Sequence, residues 1–145
     1  MPPIDVVCDA IVVLKWFHDE GEEEVDSSHR LLELHRDRVI AVSVLDLTAY
    51  EIGNALLRGR PGITSDRVAV VLEAVATTCR RVSPSPAVLA DAVRMAERHG
   101  LTVYDAAYAA VAAARHAHLA TLDRALFGAE LGRRPSDLLR LIDPT

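Results

Sequence analysis

Residues 100–126 read GLTVYDAAYAAVAAARHAHLATLDRAL, and their order decides the fold. Gly100 closes whatever precedes it. Tyr104 to His116 is rich in alanine, the best helix former, and predicts a helix. His118 to Thr121 (HLAT) reads as a short strand, and Asp123 opens another short helix. An acid stands at each junction: Asp105 at the start of the alanine-rich helix and Asp123 just after the strand. A helix packed against a short buried strand, with helix again beyond, is the grammar of an α/β protein.

The rest of the chain repeats that grammar. Ile4 to Cys8 (IDVVC) is a buried strand ended by Asp9, with a short helix in the AIVVLKWF that follows. Glu22 to Arg38 predicts a helix with Val25, Leu31, Leu32 and Leu34 as its apolar residues. Val39 to Val44 (VIAVSV) is β-branched and predicts the second strand. Asp46 to Arg58 predicts a helix stopped by Gly59 and Pro61. Thr64, Ser65 and Asp66 cap the next, which runs to about Arg80. Arg81 to Ser83 reads as a small strand. Pro86 to His99 is a helix with Gly100 past its end. Leu139 to Ile142 reads as a last strand. Strands separated by helices imply a parallel sheet with crossover helices on both faces. The expectation is one domain over residues 1–145, a three-layer α/β/α sandwich with a parallel sheet of four to five strands.

The 145 residues are 50% apolar and 26% charged, a balance that excludes a disordered chain. No apolar run approaches the roughly 18 residues of a membrane helix, so no membrane partner is expected. The start lacks a basic segment and a cleavage site, which argues against export. Cys8 and Cys79 show no metal-ligand spacing, and a reduced, cytoplasmic setting is expected. Net charge is −5, and of 16 basic residues only Lys15 is a lysine. That balance does not describe a bulk binder of nucleic acid. The arginines do pair locally, as Arg36 with Arg38, Arg58 with Arg60, Arg80 with Arg81 and Arg133 with Arg134, and arginine is the better bidentate reader of phosphate.

Ligands of open α/β sheets bind outside the carboxyl ends of the strands. Four acids fall there: Asp9 after the first strand, Glu51 one turn into the helix after the second, Asp105 before the alanine-rich helix, and Asp123 after HLAT. Each alone has an ordinary explanation. Asp9, Asp105 and Asp123 suit a helix cap or first turn. The apolar stripe of Leu45, Ala49, Ile52 and Leu56 leaves Glu51 off the buried face of its helix. Together they are harder to explain. Two carboxylates about 5 Å apart repel by roughly 3 kcal/mol at an effective dielectric of 20, so such a cluster calls for a cation. An all-oxygen donor set suits Mg²⁺ or Mn²⁺, which can activate water and neutralise charge at a phosphate.

These blocks resemble a known family. VVCDAIVVLKWF, TAYEIGNALLR and residues 100–126, with their Tyr-Asp-Ala-x-Tyr and Thr-x-Asp, resemble the ordered motifs of PIN-domain ribonucleases. The resemblance is closer to the VapC-type toxins, and is collinear from about Val6 to Leu126. It implies a Mg²⁺- or Mn²⁺-dependent endoribonuclease that cuts single-stranded or loop RNA with metal-activated water. Asp9, Glu51, Asp105 and Asp123 would be its catalytic and metal-holding acids. Asn54, one turn from Glu51, and Thr121, beside Asp123, would support them. Tyr108 would pack behind Asp105. Arg58 and Arg124 are the candidates for holding flanking RNA phosphates. The resemblance also implies a VapB-type antitoxin that blocks the site, and a homodimer built on the helices after the first two strands. One residue departs from the pattern: Ile11 stands where the family usually has Ser or Thr. That departure supports a rival reading, a catalytically silent PIN module that only binds a partner. A phosphoryl-receiver domain is disfavoured because the sole lysine follows the first Asp, and a dinucleotide fold because no G-x-G-x-x-G follows the first strand.

Overall fold

The computed structural model describes residues 1–17, 23–59 and 61–143. The predicted helix start at Glu22 and Arg60 of the Arg58–Arg60 pair lie outside the described residues. The chain runs β1 (Ile4–Cys8), α1 (Ala10–Leu14), α2 (Val25–Arg36), β2 (Ile40–Leu45), α3 (Asp46–Gly59), α4 (Ser65–Thr78), β3 (Arg80–Val82), α5 (Pro86–His99), α6 (Val103–Ala114), β4 (His118–Ala120), α7 (Arg124–Gly128) and α8 (Pro135–Ile142). The four strands form one parallel sheet in the order β3-β2-β1-β4.

Strand alternation divides the core in two. Val6 and Cys8 of β1, with Ile40, Val42 and Val44 of β2, face Leu31 and Leu34 of α2, Ile52 and Leu56 of α3, Val71 and Val75 of α4, and Leu138 of α8. Val7, Leu45 and Leu119 face the other way, onto α5, α6 and Leu126 of α7. Ala106 to Ala112 of α6 is buried throughout, with Tyr108 its one large side chain. The small residues of this helix let α5 lie close along it. Helices therefore cover both faces, as the α/β/α reading expects. No helix among the described residues is long and apolar enough to cross a membrane.

The predicted last strand, Leu139 to Ile142, is instead part of helix α8. Pro135 at the first helical position presets the backbone. Leu138, Leu139 and Ile142 then fall on one face, packed on the core, while Leu141 points out. The outer edge of β4 is met instead by the loop before α8. Arg133 makes a lone parallel bridge to Ala120, donating to Leu119 O at 2.9 Å and accepting from Thr121 N at 2.9 Å.

Candidate active site

The strand order contains a reversal. The chain steps outward from β1 to β2 to β3, then returns to add β4 on the other side of β1. The crevice at such a switch point, beyond the carboxyl ends of the strands, is where ligands bind in open α/β sheets. Asp9 leaves β1 there and Thr121 leaves β4, and the two are bonded across the gap.

Asp9 is buried, with 6% of its surface exposed. Its Oδ1 accepts from Val12 N at 3.0 Å, which caps α1. Its Oδ2 accepts a short bond from the Thr121 hydroxyl and a longer one from Leu122 N at 3.3 Å. Thr121 in turn accepts from Asp123 N at 3.0 Å. One hydroxyl thus ties the first acid to the backbone of the fourth. Asp123 caps α7, its Oδ1 accepting from Ala125 N at 2.8 Å and Leu126 N at 3.2 Å.

Glu51 sits on α3 and is half-buried. Its Oε1 accepts from the Tyr108 hydroxyl at 2.6 Å. Tyr108 has one proton and gives it to Glu51, so the Thr48 hydroxyl, 2.7 Å away, donates to the phenol oxygen. Thr48 Oγ1 itself accepts from Leu45 N at 3.0 Å, at the end of β2. A relay from the strand end through two hydroxyls therefore fixes the Glu51 carboxylate. Asp105 lies in the first turn of α6, but the cap is Thr102, whose hydroxyl accepts from Asp105 N at 3.1 Å. Thr102 therefore does the capping, and its side chain also acts on the Asp105 carboxyl, as does that of Asp123.

The acids sense one another. Burial pushes the Asp9 carboxyl up to about 6 against its hydrogen bonds, and the charge of Asp123 adds to the rise. Glu51 is raised by burial and by the charges of Asp9 and Asp105, while the Tyr108 bond opposes the rise. Asp105 is raised by burial and by Asp123. Asp9, Glu51 and Asp105 thus each feel at least one other acid. Raised carboxyls grouped beyond the strand ends mark a candidate functional site. Among the described residues no three carboxylates, imidazoles or thiols close on one point as a ready metal cage. The oxygen-only donor set still suits Mg²⁺, which takes one or two carboxylates and keeps several waters.

The remaining predicted residues divide. Asn54 is exposed one turn past Glu51, and the bond that holds Glu51 comes from Tyr108. Arg124 is exposed directly after Asp123, and Arg58 is exposed in the last turn of α3. Ile11 is 47% exposed in the first turn of α1, two residues past Asp9. Thr48 and Thr102 were not singled out by the sequence. Thr48 stands three residues before Glu51, a spacing that puts both on one helix face, and this was the available signal. Cys8, at the end of β1, is buried with its thiol pushed up by burial; Cys79 is pushed up to about 12. Such thiols are poor nucleophiles.

The PIN domain family matches residues 6–129. The chain belongs to the PIN-domain family. Within it, the chain is 36% identical over 121 residues to Ribonuclease VapC3 of Pyrobaculum aerophilum, covering 81% of this chain and 86% of that protein. Among solved structures, the PAE2754 protein of Pyrobaculum aerophilum superposes with a TM-score of 0.72 at 26% identity, covering 98% of this chain and 91% of that one. A toxin–antitoxin complex from Klebsiella pneumoniae contains the same fold, with a TM-score of 0.67 at 15% identity over 90% of this chain and 97% of that one.

Proposed function

We propose that this chain is a Mg²⁺- or Mn²⁺-dependent endoribonuclease, the toxin of a toxin–antitoxin pair, acting on single-stranded or loop RNA in the cytoplasm. The observation that carries the reading is the grouping at the switch point of the sheet: Thr121 bonds Asp9 and the Asp123 backbone, and the carboxyls of Asp9, Glu51 and Asp105 are each raised in part by another acid. The 36% identity to a protein named as a ribonuclease supports the same chemistry. Asp9, Glu51, Asp105 and Asp123 would hold the ion. When bound, it supplies an activated water and neutralises charge on the phosphodiester.

The side chains around it do the positioning. Thr121, Val12 N and Leu122 N fix the Asp9 carboxylate in one orientation. Tyr108 aims Glu51. Asp105 and Asp123, from different elements, lie close enough to raise the Asp105 carboxyl, which raises the local demand for a cation. Arg58 and Arg124 would pair with flanking phosphates, which an acidic surface otherwise repels.

A VapB-type antitoxin would restrain the enzyme, and an antitoxin arginine is chemically suited to displace the cation from the acids. Ile11, Tyr50 and Leu57 stand exposed on α1 and α3 and supply apolar surface for a homodimer or for that partner. Ile11 also favours the second reading, a silent PIN module, because an isoleucine beside Asp9 can neither donate to nor accept from a ligand water.

The test is cleavage of a structured RNA pool by the purified chain, free of any partner, with Mn²⁺ titrated from zero. Cleavage that appears only with Mn²⁺ and stops with a chelator supports the enzyme reading. A folded chain that leaves RNA intact at every Mn²⁺ concentration overturns it in favour of the silent module.

A further inference from the structure

We propose that Gly132 is a positioning residue of the carboxylate site: only a residue without a Cβ lets residues 131–133 close on β4 and seat the Thr121 hydroxyl between Asp9 and Asp123. The proposal rests on the reading of those acids as the working site.

Among the described glycines Gly132 stands apart. A Cβ added at Gly53, Gly59, Gly62, Gly100 or Gly128 meets nothing within 4 Å. At Gly132 it would lie 2.7 Å from Thr121 Cγ2, with Leu119 Cδ2 and Cγ at 3.0 and 3.1 Å. The backbone does not demand glycine here, since Gly132 is not among the positive-φ residues. Space demands it.

The segment has little freedom to back away. Arg133 is bonded on both its N–H and its C=O to Leu119 and Thr121, each at 2.9 Å. Retreat would break the only backbone pairing on the outer side of β4 among the described residues. The other escape is rotation of Thr121. Its methyl and hydroxyl share one Cβ, so turning Cγ2 away from a new methyl swings Oγ1 off both the Asp9 carboxylate and Asp123 N. Thr121 is fully buried, so the displaced hydroxyl finds no water to replace those partners. Leu119 is the softer contact, because the branched end of its side chain can yield by a few tenths of an ångström. The tight contact is therefore methyl against methyl, and it is transmitted to the carboxylates through one rotatable bond.

This geometry predicts a second-site rescue. Gly132→Ala adds a methyl, and Thr121→Ser removes the one it strikes while keeping Oγ1. The double variant moves a single methyl across the contact and conserves volume. Two readouts apply: Mn²⁺-dependent RNA cleavage, and the proton resonance of the buried hydroxyl at position 121, recorded without metal. Gly132→Ala is expected to lower cleavage by about 10- to 100-fold, the usual effect of displacing a group that orients a metal ligand, and to abolish the slowly exchanging hydroxyl signal. Adding Thr121→Ser should restore both to the level of Thr121→Ser alone. If Gly132→Ala is too unstable to purify, the double variant still decides: recovery of a folded protein with the hydroxyl signal supports the proposal. Wild-type cleavage and hydroxyl signal in Gly132→Ala, or a double variant as impaired as Gly132→Ala, overturns it. If the wild-type chain cleaves no RNA, the nuclease reading falls, and the hydroxyl resonance alone decides the role of Gly132.

Discussion

Replacing Asp9 with asparagine should change the pH dependence of stability more than stability itself. Asp9 is buried, and its carboxyl titrates near 6 in the folded chain against an ordinary 3.8. Each tenfold difference in proton affinity is worth about 1.4 kcal/mol, so the interval amounts to about 3 kcal/mol. The folded state holds this proton more tightly than the unfolded state. The contribution of this group to stability is therefore greatest below about 4, falls as pH rises through the window from 3.8 to about 6, and is flat beyond it. Asparagine cannot titrate. It keeps the bond from Val12 N, but its amide nitrogen turns a donor toward Leu122 N and the Thr121 hydroxyl, a fixed cost of about 1–3 kcal/mol at every pH. The two effects separate in urea unfolding of both proteins with chelator at pH 4 and pH 7.5. The variant is expected to be the less stable protein at pH 4 and to gain on wild type by about 2–3 kcal/mol by pH 7.5. Parallel stability curves would refute the reasoning, because they would mean that Asp9 carries no burial penalty.

Mn²⁺ affinity, measured by calorimetry, should rise as pH increases from 5 to 7.5, since the cation must displace protons from raised carboxyls; a flat profile would argue against the acids as ligands. Tyr108→Phe removes the donor to Glu51 and strands the buried Thr48 hydroxyl, so it should cost about 1–2 kcal/mol in urea unfolding and slow RNA cleavage by about 10- to 100-fold. Ile11→Ser should leave the melting temperature unchanged, because the side chain is exposed, and should raise the cleavage rate. An unchanged rate would show that a serine hydroxyl two residues past Asp9 adds nothing to the chemistry.

Local signals were the legible ones. Helix α5 has its predicted bounds, Pro86 to His99, because Ser85 caps it, Pro86 starts it and Gly100 ends it at φ 67°. The positions of Asp9 and Asp123 just past β1 and β4 were legible because parallel α/β topology fixes where strand ends go; Asp105 instead opens a helix that follows another helix. The segment Leu139 to Ile142 is helical where a strand is expected, because four apolar-rich residues fit either period and the deciding residue, Pro135, lies four positions upstream. The helical wheel placed Glu51 off the apolar stripe of α3. It could not register Tyr108, which arrives from α6 and half-buries Glu51. Thr121 supports Asp123, as its place in Thr-x-Asp implies, through the backbone N–H; its shorter bond goes to Asp9, 112 residues away in the chain. The crowding at Gly132 has no sequence signature, because it exists only once the loop before α8 meets β4.

The central claim is that four carboxylates, Asp9 and Asp123 just past strands and Glu51 and Asp105 in the opening turns of helices, act as one site. Asp105→Asn tests it most directly, because Thr102 rather than Asp105 caps α6, so the helix keeps its cap in the variant. Loss of the first-turn charge costs the helix about 0.3–1 kcal/mol, offset by relief of repulsion from Asp123. The measurement is RNA cleavage at saturating Mn²⁺ by a variant that unfolds as cooperatively as wild type. The account predicts a folded protein with cleavage reduced by roughly 100-fold or more. Cleavage at the wild-type rate would contradict it, and would leave Asp105 as a first-turn helix residue and nothing else.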